Sequence, residues 1–522
     1  MTVRALPYIL LCALCAALFF WRLGAIPLLG LDEGLYAECS REMLASGDYV
    51  VPTCNGAPFF DKPPAAYWLQ AASMRAFGVN SFAARLPSAI EGLALVALTV
   101  FLGTRLFSRR AGLMAGFALA CSTLAAGLAR LAIIDALFAL TITASLGAFL
   151  LAYLKLAPRW CYLAFWAAMS VSVMVKGPAG AVLIVGTVLV FLLIRRDLGA
   201  IRRMMPVAGI AFAAAIALPW YVIVNDRTGG AFLREFIVHQ NLQRALGQDF
   251  AHNAPFYYYL PIFLAGFFPW SVFLPAAFLT RKPESQKAGN EREIARLFLI
   301  VWIAAIFVVF SVLRSKLPGY IFPIYPAAAL MVACLWSNAT DGEKSAGLKR
   351  SALAAAVTAC VIGAVMLIVP PYLREPIPGV SRALIPMAVS LVVGCAAAYV
   401  MLGMRRPMAA FAALCGGMTA LILIAVSLGL PIAARTNAIP AMKMGREIAR
   451  RAEPAVAFQL SPAQPQLGFY ALRPVRAVDS ASDIPAREPC LVVAQTDRLE
   501  GLPAGGRIEA RVGPYVLWVN HP

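Results

Sequence analysis

Thirteen stretches of this chain are apolar for long enough to cross a lipid bilayer, and no other feature limits its fold so strongly. A spanning helix needs about 20 apolar residues, because in hydrocarbon every backbone N–H and C=O must find its partner within the chain. The runs lie near 5–23, 87–107, 111–129, 131–154, 160–175, 179–194, 204–224, 257–280, 297–313, 320–337, 351–371, 384–403 and 408–432, with those between 111 and 194 tightly spaced. The composition agrees: 61% of residues are hydrophobic and 14% charged, against about 25% charged in soluble proteins. A water-soluble enzyme, a disordered chain and a small disulfide scaffold are excluded, and an all-α polytopic membrane protein remains. The net charge of +19 would suggest nucleic acid in a soluble chain. Here it belongs to loops, and no nucleic-acid partner is expected.

Lysine and arginine set the orientation. With the N-terminus in the cytoplasm, the inner loops and N-terminus hold twenty of the forty-five, and the short outer loops hold six: Arg130, Lys176, Arg314, Lys316, Arg374 and Arg382. An odd number of spans leaves the C-terminus outside. The first run is read as a span and not as a cleaved leader, since Trp21-Arg22 closes it and no small-x-small site precedes Asp32. The expected plan is a membrane domain over 1–432 with a first outer loop at 24–86 and a second at 225–256, then a small outer α/β domain over 433–522. In that domain Thr436 to Arg451 reads as a helix, and 454–460, 490–494 and 514–519 as strands. Eight of the eleven cysteines fall in spans. Cys39, Cys54 and Cys490 face the outer, oxidising side, where a Cys39–Cys54 disulfide is compatible with the spacing.

The first outer loop concentrates ionisable groups. Leu31-Asp32-Glu33-Gly34-Leu35-Tyr36-Ala37-Glu38 leads into Ser40-Arg41-Glu42-Met43-Leu44. Tyr36, Ser40, Met43 and Leu44 share one helical face, and Glu38, Arg41 and Glu42 another, as in a helix lying in the membrane interface. Asp32 is placed either to cap that helix or to do chemistry. Further on, Phe59-Phe60-Asp61-Lys62-Pro63-Pro64 precedes Tyr67-Trp68 and Gly78. The prolines suit a helix start, Gly78 its stop, and the two aromatics an interfacial anchor. Lys62 at that helix start can hold a phosphate or simply pair with Asp61.

Asp135 lies inside an apolar run, where an ionisable group is by default functional, and Arg130 is its nearest cation in sequence. Glu91 is a similar case near Arg85. Lys176-Gly177-Pro178 breaks the chain between two spans, and Arg314-Ser315-Lys316-Leu317-Pro318-Gly319-Tyr320 follows another. Cations retained on the outer face suit a phosphate or anionic headgroups. His239 and His252, near Asp249, are candidate ligands for a divalent metal with an acid from the first loop. No other cofactor is indicated.

Taken in order, these blocks resemble the first periplasmic loop and later motifs of the bacterial aminoarabinose transferases of lipid A and their protein O-mannosyltransferase-like relatives. The blocks are Asp32-Glu33 with Tyr36-Ala37-Glu38, Phe60-Asp61-Lys62-Pro63-Pro64 with Tyr67-Trp68, Lys176-Gly177-Pro178, Leu218-Pro219-Trp220-Tyr221, and Ser315-Lys316-Leu317-Pro318 with Tyr320. The resemblance covers about the first 340 residues. It implies a C-type glycosyltransferase fold in the bacterial inner membrane. It further implies transfer of a sugar from an undecaprenyl-phosphate carrier to lipid A or another envelope acceptor. It makes Asp32 the catalytic-loop carboxylate, with Glu33 beside it and Asp135 a further acid of the pocket. Lys62 and Tyr320 match positions that hold the carrier phosphate, with Lys316 in the same motif. Arg314 and Lys176 add positive charge, and Tyr36, Arg41 and Asp61 are expected to line the pocket. One departure bears on substrate: these transferases usually carry Arg just before the Tyr of the first motif, where this chain has Leu35. A protein or other glycan acceptor is the alternative. A lipid-linked-sugar flippase is a third reading, disfavoured by the absence of a visible repeat and by charges that keep to the outer edge.

Overall fold

The computed structural model describes residues 5–243, 253–279, 287–341, 346–368, 372, 377–458, 464–484, 489–496, 502 and 506–520. All thirteen apolar runs are helical over these residues. Nine helices among the described residues are long and apolar enough to span by themselves, and Phe256–Gly266 with Trp270–Leu279 forms a further pair bent by 103°. Leu6–Phe20 and Cys161–Lys176 are shorter apolar helices. The third run is divided into Arg109–Ala120 and Thr123–Leu128.

The loop after the first span, residues 24–86, carries two helices. Gly30–Ser46, here called the loop helix, starts after an extended Leu29 and stops at Gly47, which is left-handed (φ 73°) and returns its N–H to the Met43 carbonyl. The second, Ala65–Phe77, follows Pro63-Pro64 and ends at Gly78, as the sequence indicates. Between them Thr53–Cys54 (β1) and Ala57–Pro58 (β2) form a hairpin around Asn55-Gly56. Both turn residues have positive φ, 53° and 77°, the conformation that Asn-Gly supplies in a tight hairpin.

The loop helix does not lie on the membrane surface. Ten of its residues between Glu33 and Met43 are buried. Its polar groups find protein partners in place of water: Ser40 donates to Gln70 at 3.0 Å, Arg41 pairs with Glu38 through two bonds of 2.7 Å, and Glu42 accepts from the Gly56 N–H at 2.9 Å. An amphipathic pattern therefore marks two protein-covered faces. Tyr67 is likewise buried and not an interfacial anchor, with its ring 5.7 Å from that of Tyr36.

Asp32 does not cap the loop helix. It stands exposed in the first turn, and Glu33 accepts from the Leu29 N–H at 2.5 Å. Glu33 is also held by Arg85 through Nε (2.8 Å) and Nη2 (2.7 Å), and accepts from the Ala132 N–H at 2.8 Å. The other Arg85 donors bond the carbonyls of Leu23, Ile26 and Pro27 at 2.8–3.0 Å. All five guanidinium donors and all four carboxylate acceptor sites are thus used. This buried pair joins the end of the first span, the start of the second, the loop helix and the turn before Asp135. Arg130 adds a second fastening, donating to the carbonyls of Leu18 and Trp21.

The C-terminal region has a five-stranded sheet in the order β4-β3-β5-β7-β6. Its strands are Ala455–Phe458 (β3), Arg476–Val478 (β4), Cys490–Gln495 (β5), Arg507–Val512 (β6) and Tyr515–Asn520 (β7). β3 runs parallel to β4 and β5, and β5, β7 and β6 are antiparallel. The expected helix is Ala438–Ala449, and all three expected strands are present. Leu491, Val493 and Leu517 face the helices, and Val492, Ala494 and Trp518 pack on the opposite side. The short helix Pro465–Ala471 docks this region on the loop helix. At its end the Tyr470 hydroxyl accepts from the Leu28 N–H and bonds Ser81, both at 2.8 Å.

Removing one partner of a buried ion pair costs about 3–5 kcal/mol, because the other charge is stranded. Arg85→Ala and Glu33→Gln are therefore expected to lower the thermal unfolding midpoint of detergent-solubilised protein strongly, while exposed Asp32→Asn leaves it near wild type. Equal midpoints for all three variants would remove the fastening role of the pair.

Candidate active site

Four separate segments bring charge to one place. The turn before the Pro63-Pro64 helix start carries Asp61 and Lys62; the Lys62 ammonium lies 2.7 Å from Asp61 Oδ2 and also donates to the Asp61 carbonyl. Lys176 is the last residue of Cys161–Lys176, where Gly177 (φ 71°) turns the chain into the helix opened by Pro178. Asp135 begins the helix Asp135–Tyr153. Its partner is not Arg130 but Lys176, at 3.0 Å. The fourth segment, Pro318–Ile324, sets the Tyr320 ring 3.9 Å from the Lys176 ammonium, a cation–π contact. Gly319 permits this closure, since a Cβ there would stand 2.7 Å from the Asp135 carboxyl carbon.

Tyr36, from the loop helix, is buried nearby. Burial raises its hydroxyl pKa well above the usual value, and the charges of Asp61, Asp32 and Asp135 and the nearby Tyr320 push it further. The three carboxylates are thus neighbours of one neutral hydroxyl. Asp61, Lys62, Lys176 and Tyr320 line a cavity of about 280 Å³ whose walls are otherwise largely apolar: Ala179, Val182 and Leu183 on one side, Val309, Phe310 and Leu313 on the other. A polar, cationic end and an apolar wall together suit an amphiphile whose head is anionic. Larger clefts near Arg292 and Arg296 and near Arg446 and Tyr470 carry none of the motif residues.

Other expected site residues stand elsewhere. Glu33 is the fully bonded fastening described above, so no lone pair is left for chemistry. Arg41 belongs to the face of the loop helix turned toward Glu38 and Glu42, away from the cavity lining. Glu38 beside it is raised to about 7 by burial, partly offset by Arg41. Lys316 is buried next to the cavity wall; its ammonium bonds the Leu313 carbonyl, and burial lowers its pKa. The Arg314 side chain is exposed, and its carbonyl accepts from the Ala254 N–H at 3.2 Å. Glu91 is buried and bonded to the Leu137 backbone, while Arg85 takes Glu33 instead.

The histidine pair gains no support. His239 is exposed and bonds Gln243 at 2.6 Å, and His252 and Asp249 lie outside the described residues. Among the described residues no group of three His, Cys, Asp or Glu could hold a metal. The sequence reading missed Phe236 and Gln240, which close one side of the cavity from the segment Arg234–Gln243. The spacing of Phe232 and Phe236, four residues apart and stacked at 5.2 Å, was the available signal.

Residues 61–223 match the family model described as dolichyl-phosphate-mannose-protein mannosyltransferase. An undecaprenyl phosphate-alpha-4-amino-4-deoxy-L-arabinose arabinosyl transferase from Aeromonas salmonicida is 32% identical over 61% of this chain and 58% of its own length. One of the same description from Pectobacterium carotovorum is 32% identical over 66% of this chain and 62% of its own length. The chain thus spans about six tenths of the length of these curated relatives. Similarity in structure extends further. ArnT from Cupriavidus metallidurans, solved bound to undecaprenyl phosphate, superposes with a TM-score of 0.84 at 26% identity, covering 98% of each chain. An oligosaccharyltransferase from Archaeoglobus fulgidus shares the fold at a TM-score of 0.54 and 14% identity, over 90% of this chain and 63% of that one. By sequence and by fold, this multi-pass membrane protein is similar to the aminoarabinose transferases, and it is built on the C-type glycosyltransferase fold.

Proposed function

We propose that the chain transfers a sugar from an undecaprenyl-phosphate carrier to lipid A at the outer face of the bacterial inner membrane. The observation that carries this reading is the cavity in which Lys62, Lys176 and Tyr320 meet an apolar wall. A lipid phosphate places its anion at the cations and its first isoprene units along Val182, Val309 and Leu313. Sugar transfer breaks the bond between the anomeric carbon and the phosphate oxygen, and the departing phosphate gains charge. Groups fixed where that charge develops stabilise the transition state. Lys62 is held by Asp61 and Lys176 by Asp135 and the Tyr320 ring, so each ammonium is oriented before the lipid arrives. Both carboxylates also keep the site near neutrality when it is empty.

Asp32, exposed at the loop-helix start, is the group available to the acceptor. It orients the attacking oxygen and takes its proton if that oxygen belongs to a hydroxyl. An acceptor phosphate is already anionic and needs only orientation. Direct displacement inverts the anomeric centre. The 61–223 match to a mannosyltransferase family and Leu35 in the first motif favour, as a second reading, the same transfer to a protein or other glycan.

Two substitutions separate these roles. Lys62→Ala is expected to weaken use of the lipid-phosphate sugar by about 10²–10³, the usual cost of losing one oxyanion-stabilising group; an unchanged dependence on donor concentration would contradict its phosphate role. Asp32→Asn is expected to abolish transfer while leaving membrane expression and donor binding intact, so near-normal turnover would remove it from the chemistry. The acceptor is read by mass spectrometry of lipid A from cells with and without the gene. An aminoarabinose mass increment that depends on the gene supports the first reading, and unmodified lipid A beside newly glycosylated protein supports the second.

A further inference from the structure

Two buried thiols play no part in this chemistry. Cys39 lies in the loop helix and Cys54 ends β1; both are free thiols buried in one packed cluster, where the helix and the strand touch. The contact joins two pieces of backbone with distinct tasks. On one side is the helix that carries Asp32 and Tyr36. On the other is the hairpin whose outgoing strand leads within a few residues to Asp61-Lys62. The hairpin is also the loop's link to the C-terminal region: Gly56 donates to Glu42, and Asn55 Oδ1 accepts from the Val475 N–H at 3.5 Å.

We propose that Cys39 and Cys54 close a disulfide in the mature protein, fixing the hairpin to the loop helix and holding the segment that delivers Lys62. The inference rests on the outer placement of this loop in the functional reading above, since disulfides persist in oxidising compartments. In the reaction both thiols lose their protons and one sulfur–sulfur bond forms. The two electrons pass by thiol–disulfide exchange to the disulfide of an oxidoreductase of the envelope, which leaves as a dithiol.

The order of synthesis makes this feasible despite the burial. The helix that covers this part of the loop, Pro465–Ala471, lies some four hundred residues later in the chain, so the loop meets an oxidant before it is enclosed. Once folded, the burial of both sulfurs keeps external thiols from the bond, which slows any later exchange. A second thiol pair supplies an internal contrast. Cys121 lies 3.8 Å from the Cys415 carbonyl, but that pair is set among apolar helices where a protein oxidant does not reach, and it stays reduced.

The test is a thiol count on the full chain, purified from membranes without reductant and denatured in excess N-ethylmaleimide. Of the eleven cysteines, nine are expected to be alkylated before reduction and eleven after it, with a single cross-linked peptide joining Cys39 to Cys54. Eleven adducts before reduction, or a cross-link involving other cysteines, overturns the proposal. The double variant Cys39→Ser, Cys54→Ser is expected to unfold at a lower temperature than the unreduced protein and to be insensitive to reductant; a reductant effect that survives in it contradicts the assignment. Sugar transfer is scored on the same sample. An active enzyme with eleven reactive thiols sinks the disulfide alone, and an inactive one with nine sinks the transferase reading alone.

Discussion

The buried pair of Glu33 and Arg85 is the interaction on which the arrangement of the loop after the first span depends. A buried guanidinium with five donors and a buried carboxylate with four acceptor sites meet here, and their bonds together reach four pieces of chain. The first span ends, the loop helix begins, the second span starts and the turn before Asp135 passes at this single point. The cost of enclosing two charges is offset only because the geometry leaves neither with an unmet bond.

What this fastening positions is a set of charges that compensate each other. Lys62 with Asp61, and Lys176 with Asp135, form two ion pairs at one cavity. A phosphate entering between them competes with the carboxylates for the ammonium groups. The aromatic ring of Tyr320 over Lys176 contributes attraction without a formal charge, which leaves the couple free to exchange partners. In the proposed function the apolar wall below accounts for a preference for a phosphate attached to a lipid, with the chemistry at the cationic end.

Much of this was legible in the amino-acid order. Spanning helices announce themselves because hydrocarbon tolerates little else, and the Pro63-Pro64 and Lys176-Gly177-Pro178 breaks fall where the sequence puts them. Lys62, Asp135, Lys176 and Tyr320 stood out as charged or polar groups in apolar company, and they do converge. The roles within the loop were harder to read. Asp32 and Glu33 are adjacent carboxylates, and only the position of Arg85, some fifty residues on, makes one a structural fastening and leaves the other exposed. Arg41 looked like a pocket cation, but its preference for Glu38 one turn away is a local contact that the spacing alone does not rank above the pocket. The loop helix seemed amphipathic because its second covering surface comes from residues 465–471, far beyond the reach of any local pattern. The apolar half of the cavity was invisible for the opposite reason: Val182, Val309 and Leu313 are ordinary span residues until the fold gathers them around one cavity.

The central claim is that the cationic cavity uses a lipid-phosphate sugar as donor. Its most direct test supplies purified protein, in detergent or lipid discs, with radiolabelled sugar on undecaprenyl phosphate, and separates lipid-linked from transferred label with and without lipid A. The account predicts that label leaves the carrier only when acceptor is present, with one free undecaprenyl phosphate formed for each sugar transferred. Label that stays on the carrier under every acceptor condition, in protein shown to be folded, would contradict it.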